Sequence, residues 1–558
     1  MKKRFSTLLL TLGCVMTAFA QDSIPSLARP LNIPLTLSGN FGELRPNHFH
    51  SGLDFKTQGR TGLPVYSVDD GYVSRIVVSP TGFGRAVYIT HPATGLTSVY
   101  GHLKSFSKKI DAPVRKSQYE HESFSIDMSF KEHQIPVKRG EQIGLSGNAG
   151  SSGGPHLHLD IRDTKTGHAL DPLPYFKKHI TDKVAPEVRA VALYPVKGKG
   201  SVNGSSTHPT THAAGHINDS YRAWGKIIPA IKAYDRMSNT SNIYGIKYIT
   251  LFVDGKPFYE RIIDRVDLDN SKAINTLVDY EGVVNNNSWM MWTLIPDSEP
   301  LDGMVQGVDH GVLNIDEERQ YKCMWIVTDE HGNTHRIPFV IEGVKTDIRD
   351  VEPEEDRMLY RGHNTITQPG IKVEFEPETF YDDCYLTLKV NDDSPYATPI
   401  YIIGNPAIPV SKEYKVTIDV PSDSLPHKGG YYLMRLRNNR KSGVDSHYSD
   451  GHIVGKPSSL GTFTVVLDDV APVIKPLKPA AWNSGKISFS ISDADSGIKS
   501  YRGEIDGSFA LFELDAKTGR VDFMMDPSRW DKGKKHDIKF TVTDKAGNTS
   551  EYNGSFNW

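Results

Sequence analysis

Between residues 63 and 103 the apolar side chains fall in short alternating runs: Val65, Val68, Tyr72-Val73, Ile76-Val77-Val78, Val87-Tyr88-Ile89 and Val99-Tyr100. Gly71, Gly82, Gly84 and Gly95 separate them. Alternation at period two, cut by glycine, predicts half-buried strands. The pattern resumes from Val137 through Ile143 and Leu145 to Leu157, Leu159 and Ile161. Neither stretch carries a helical period, so this region is predicted to be mainly β.

Beyond residue 180 a weak internal repeat appears. Val184-Ala185-Pro186 recurs as Val470-Ala471-Pro472. Asp235, then Gly245-Ile246-Lys247 and Asp254-Gly255, recur as Asp493, Gly497-Ile498-Lys499 and Asp506-Gly507. Val327-Thr328-Asp329 with Gly332-Asn333 recurs as Val542-Thr543-Asp544 with Gly547-Asn548. Short strands with Asp, Gly and Asn turns predict β-sandwiches. The signature resembles bacterial immunoglobulin-like modules, best over 470–558. The expected order is a β-sheet domain over 21–178, then two or three β-sandwich modules. These are 179–345 with insertions, a β-rich 346–466, and 467–558.

The first twenty residues read as a signal for export. Lys2, Lys3 and Arg4 start it, an apolar run follows from Leu8 to about Phe19, and Ala18-Phe19-Ala20 offers small residues for cleavage before Gln21. The run is too short to span a membrane, and no later segment is long and apolar enough. Cys14 follows Leu12-Gly13, a poor lipidation signal. The expected location is therefore the periplasm, the cell envelope or the exterior. Of the three cysteines, Cys323 and Cys384 follow the signal and could pair in an oxidising compartment.

With 64 Lys+Arg against 67 Asp+Glu, no basic excess exists to hold a phosphate backbone, so nucleic acid is an unsuitable partner. Three cysteines are too few for cysteine-rich zinc modules. The histidines are unevenly placed: nine of the 21 lie between His48 and His168. Three pieces stand out there. One is His50-Ser51-Gly52-Leu53-Asp54, another Tyr100-Gly101-His102-Leu103. The third is His156-Leu157-His158-Leu159-Asp160, preceded by Gly147-Asn148-Ala149-Gly150-Ser151-Ser152-Gly153-Gly154-Pro155. On a strand His156 and His158 face one side while Leu157, Leu159 and Ile161 face the core. Two imidazoles on one strand, with His50 and Asp54 near a glycine turn, are the residue types of a catalytic zinc site.

Together and in this order the three pieces resemble the lysostaphin/LytM-type zinc metallopeptidases, cell-wall endopeptidases of the duplicated hybrid motif fold. The resemblance covers about residues 38–175. It extends to Pro64-Val65, Asp70-Gly71 and Gly140-Glu141-Gln142-Ile143-Gly144. It implies one Zn2+ per chain held by His50, Asp54 and His158, with His102 and His156 as catalytic histidines. His48 and His91 match no position of the pattern. The implied substrates are peptidoglycan stem peptides or cross-bridges. An envelope protein is a possible partner of the C-terminal modules. The alternative is a non-catalytic wall-binding or hydrolase-activating protein that uses the same fold as a surface. No His-Glu-x-x-His is present, so a histidine must replace the glutamate base. One departure is a long insertion at about 113–135, rich in charge and aromatics, expected at the cleft rim or as a surface hairpin.

Overall fold

A computed structural model describes residues 24–216, 219–301, 303–348, 356–420, 428–437 and 440–558. The export signal and Cys14 lie outside these residues. The chain is mainly β throughout, with an N-terminal domain followed by β-modules.

One antiparallel sheet carries the histidines. Its strands lie in the order Leu37–Gly39, Leu53–Lys56, His156–Asp163, Leu96–Gly101, Arg85–His91, Gly71–Val78 and Ile126–Ser129. Period-two patterning sets which face is dry: Leu157, Leu159 and Ile161 are fully buried with Val73, Ile76, Val87 and Ile89. A smaller sheet of Pro64–Tyr66, Gln142–Leu145 and Ser105–Phe106 adds Val65 and Ile143 to the same core.

A helix, Lys108–Glu120, runs into the insertion, which adds the edge strand Ile126–Ser129 paired with Gly71–Val78. Ile110 and Val114 enter the domain core from one side of the helix. From its far end Tyr119 reaches the C-terminal module. Its ring lies edge-on to Phe509, and the Arg529 guanidinium stands 3.4 Å from its centroid.

The first module forms a continuous sheet around the long strands Glu187–Val202 and Tyr221–Tyr234. Its core also takes in Phe41, Phe49 and Ala169 of the N-terminal domain. Ala169 and Leu170 pair with Val266 and Arg265, so the sheet crosses the boundary. Two five-stranded sheets between Asn364 and Leu467 enclose Val373, Phe375, Leu433 and Phe463. Two four-stranded sheets between Val473 and Asn557 enclose Phe489, Phe512 and Phe540. The sequence repeat is a structural one. Tyr248–Val253 pairs with Gln320–Thr328, and Ile498–Ile505 pairs with Lys535–Asp544. Cys323 and Cys384 are free thiols in different modules.

Candidate metal centre

His50 precedes the strand that carries Asp54. Between them, a Cβ on Gly52 would stand 2.3 Å from the Leu159 carbonyl oxygen, so this crossing leaves room only for glycine. Across the ladder Asp54 lies opposite His158, and His158 lies opposite Gly101 on its other side. Three strands thus deliver the three sequence pieces to one place. His102 leaves the last strand in a left-handed conformation, φ 56°, which is costly for a side chain with a Cβ. Its ring ends 4.8 Å from that of His156 and 5.9 Å from that of His158.

Nε2 of His50, Oδ1 of Asp54 and Nδ1 of His158 lie 2.9–3.1 Å from one another. About 3.3 Å is the edge of a tetrahedron of zinc ligands at ordinary bond lengths, so the triangle is close to that size. The far nitrogen of each ring is already committed. His50 Nδ1 donates to the Asn40 carbonyl at 2.6 Å, and His158 Nε2 to Asp160 Oδ1 at 2.6 Å. Two ring lone pairs and a carboxylate oxygen therefore face each other in a buried place. Such an arrangement requires a cation or a proton between them. The donor set fits a metal ion.

The electrostatics express the same demand. Burial works against charge on His158, but Asp160 and Asp54 outweigh it and push the imidazole up to about 9. Burial would raise Asp54, yet His50, His156 and His158 hold it well below the usual carboxylate range. Asp160 is brought down to about 2, because His158 and Arg162 overcome its own burial. His102 is different. Burial, then the neighbouring His158 and His156, bring it down to about 3, so it is neutral near pH 7. Its Nδ1 donates to the Ala149 carbonyl at 2.8 Å, leaving Nε2 as an acceptor. His156 Nδ1 is occupied by the Gly154 carbonyl at 2.9 Å, and its Nε2 is 3.3 Å from Asp54 Oδ1.

All five predicted residues come together. His48 and His91 do not join them: His48 is exposed, and His91 is buried between the Asp70 carbonyl and Ser98. Sequence reasoning missed three supporting groups. Asp160, fully buried, binds His158 while Ser51 and Arg162 bind it in turn. Its position two residues after His158, on the same strand face, was a usable signal. Arg45 meets Asp54 Oδ2 at 2.9 Å and Glu43 at 3.3 Å. The Asn40 carbonyl orients His50, and no sequence signal identifies a carbonyl.

Residues 48–119 match the family described as Peptidase family M23, and residues 355–468 match a Zu5-like domain. The N-terminal domain is an M23 peptidase domain. An uncharacterized metalloprotease of Haemophilus influenzae is 36% identical over 132 residues, which are 24% of this chain and 21% of the relative. The DD-carboxypeptidase/endopeptidase Mpg of Neisseria meningitidis is 32% identical over 113 residues, 20% of each chain. The peptidoglycan DD-endopeptidase ShyA of Vibrio cholerae is 35% identical over 112 residues, also 20% of each. The chain spans about a fifth of the length of these curated relatives. Among solved structures, the EnpA catalytic domain from Enterococcus faecalis is 27% identical. It covers 25% of this chain and 89% of that one, with TM-score 0.19. The lysostaphin catalytic domain from Staphylococcus simulans is 23% identical at the same coverage and TM-score.

Proposed function

We propose that this chain is an exported zinc endopeptidase that hydrolyses peptide cross-links of bacterial peptidoglycan. The observation that carries the reading is the buried triangle of His50 Nε2, Asp54 Oδ1 and His158 Nδ1, with His102 and His156 beside it. Relatives named metalloprotease and peptidoglycan endopeptidase support peptidase activity and suggest the substrate class. Zinc, when bound, lowers the pKa of a coordinated water and polarises a carbonyl.

The remaining chemistry belongs to the side chains. Neutral His102 offers Nε2 as the acceptor of the proton released by an attacking water. His156, fixed through Gly154 and Ser152, supplies the second nitrogen, suited to steadying the oxyanion or returning the proton to the leaving amine. Asn40 and Asp160 hold the two ligand rings in register, and Arg45 pairs with the other oxygen of Asp54.

Metal content and hydrolysis of isolated peptidoglycan by the mature chain test this, beside five alanine variants. His50→Ala, Asp54→Ala and His158→Ala are expected to lose zinc and activity together. His102→Ala and His156→Ala are expected to retain zinc and lose about 10²–10⁴-fold in rate. Wild-type protein that holds zinc yet releases no fragments would favour the non-catalytic alternative. Zinc lost from His156→Ala but kept by His158→Ala would overturn the ligand assignment.

A further inference from the structure

The repeated modules carry two versions of one aspartate cluster, and the two are chemically unequal. In the C-terminal copy Asp468, Asp493 and Asp544 converge. Backbone donors meet them. Asp468 accepts from the Val470 and Ser496 amides, and Asp493 from those of Asp495 and Gly497. Asp544 accepts from the Asn548 amide and side chain. In this copy no carboxylate oxygen of the three is buried without a partner.

In the first copy the counterparts are Asp182, Asp235 and Asp329. Asp329 keeps its Asn333 at 2.9 and 2.7 Å, and Asp182 Oδ1 accepts from the Val184 and Ser238 amides. Asp182 Oδ1 also takes the Ser238 hydroxyl and Asp235 the Arg236 amide, yet one oxygen of each is left over. Asp182 Oδ2 and Asp235 Oδ1 are buried without a hydrogen-bond partner, in residues only 6% and 2% exposed. Where the C-terminal copy has Ala546, this copy has His331. His331 Nε2 donates to the Ile180 carbonyl at 2.8 Å, so Nδ1 presents a lone pair, and that atom too is buried without a partner.

Ligand atoms of Asp182, Asp329 and His331 lie within 4.8 Å of one another. Asp235, Asp329 and His331 line one cavity of about 10 Å3, room for a single water-sized body. The cation on that wall, Lys247, is engaged by Asp171 at 2.9 Å and Glu330 at 2.5 Å.

We propose that Asp182, Asp235, Asp329 and His331 form a divalent-cation site at the joint between the peptidase domain and the first β-module, separate from the histidine centre. Carboxylates suit Ca2+ and Mn2+ and imidazole suits later ions such as Zn2+; with three carboxylates to one imidazole, Mn2+ is the expected ion. The ion would tie residue 182, in the connection between the domains, to the hairpin tip at 329–331. His331 already holds that tip against Ile180, whose side chain packs into the peptidase core just past residue 178.

The test uses the full mature chain, stripped with chelator and titrated separately with Ca2+, Mn2+ and Zn2+. Ions retained per chain and the thermal unfolding midpoint are both read. Wild-type protein is expected to retain one more Mn2+ per chain than Asp235→Asn or His331→Ala and to gain several degrees on binding it. Both variants lose that ion and that gain, while Asp493→Asn in the C-terminal copy keeps them. Uptake of Ca2+ instead, still abolished by Asp235→Asn, upholds the site and identifies a harder ion. Equal counts in wild type and both variants for all three cations overturn it. So does a Zn2+ count that the variants leave unchanged with no Ca2+ or Mn2+ retained. Should Asp235→Asn fail to fold, His331→Gln replaces it, with the same expectations.

Discussion

His158 is held between two carboxylates, Asp54 on Nδ1 and Asp160 on Nε2. Because these raise its proton affinity to about 9, a metal must displace a proton to reach Nδ1. Zinc affinity is therefore expected to climb as pH rises toward 9, with proton release, and to fall steadily on acidification. Calorimetric titration in buffers of different ionisation enthalpy measures that release. Asp160 also fixes the ring. Asp160→Asn keeps the size but weakens the hold, and should cost about 10–100-fold in zinc affinity. The same variant should shift the pH dependence of binding downward, because the imidazole loses its strongest charged neighbour. An unchanged pH dependence would mean that Asp160 serves only Arg162.

At the scale of elements, the helix Lys108–Glu120 does two separable jobs. Ile110 fills the peptidase core, so Ile110→Ala should destabilise the domain by about 2–5 kcal/mol, read in denaturant unfolding. Tyr119 faces outward to Phe509 and Arg529. Tyr119→Ala should leave that stability and zinc content intact while loosening the docking of the C-terminal module by about 0.5–2 kcal/mol. Small-angle scattering would register the loosening as a larger radius of gyration. This docking reaches the site's rim. Arg85 pairs with Glu513, and Lys517 donates to the carbonyls of Asn148 and Ser152, in the loop that leads to His156.

In the whole molecule, peptidase and first module are joined by a common core and by one charge knot. Lys247 of the module lies between Asp171 of the peptidase domain and Glu330 of the module hairpin. Burial opposes its charge, but the two carboxylates outweigh it and raise its pKa above the ordinary lysine value. Its contribution to stability is thus complete below about pH 10.4 and is lost only as pH rises through the higher folded value. Lys247→Met leaves two poorly solvated carboxylates facing each other and should cost about 3–5 kcal/mol. Thermal unfolding at pH 8 and from about pH 10.4 upward checks both: the variant starts lower at pH 8, and above about pH 10.4 its curve lacks the alkaline loss that wild type shows.

The sequence by itself determined the local faces. Alternation at period two put His156 and His158 on one side of a strand and Leu157 and Leu159 on the other, and His50 through Asp54 advertised a second pair of ligand types. It also marked the module repeat, because turn chemistry is local. Tertiary structure decided what depends on register between distant strands. That Asp54 lies opposite His158, 104 residues away, follows from how three strands align, which no local pattern encodes. The helix that runs into the insertion was hidden because its apolar stripe is only Ile110 and Val114, followed by Ser117 and Gln118, two polar residues buried by packing. The unequal aspartate clusters were likewise beyond a linear reading. The two copies share their aspartates, and only the fold reveals which carboxylate oxygens are left buried without a partner.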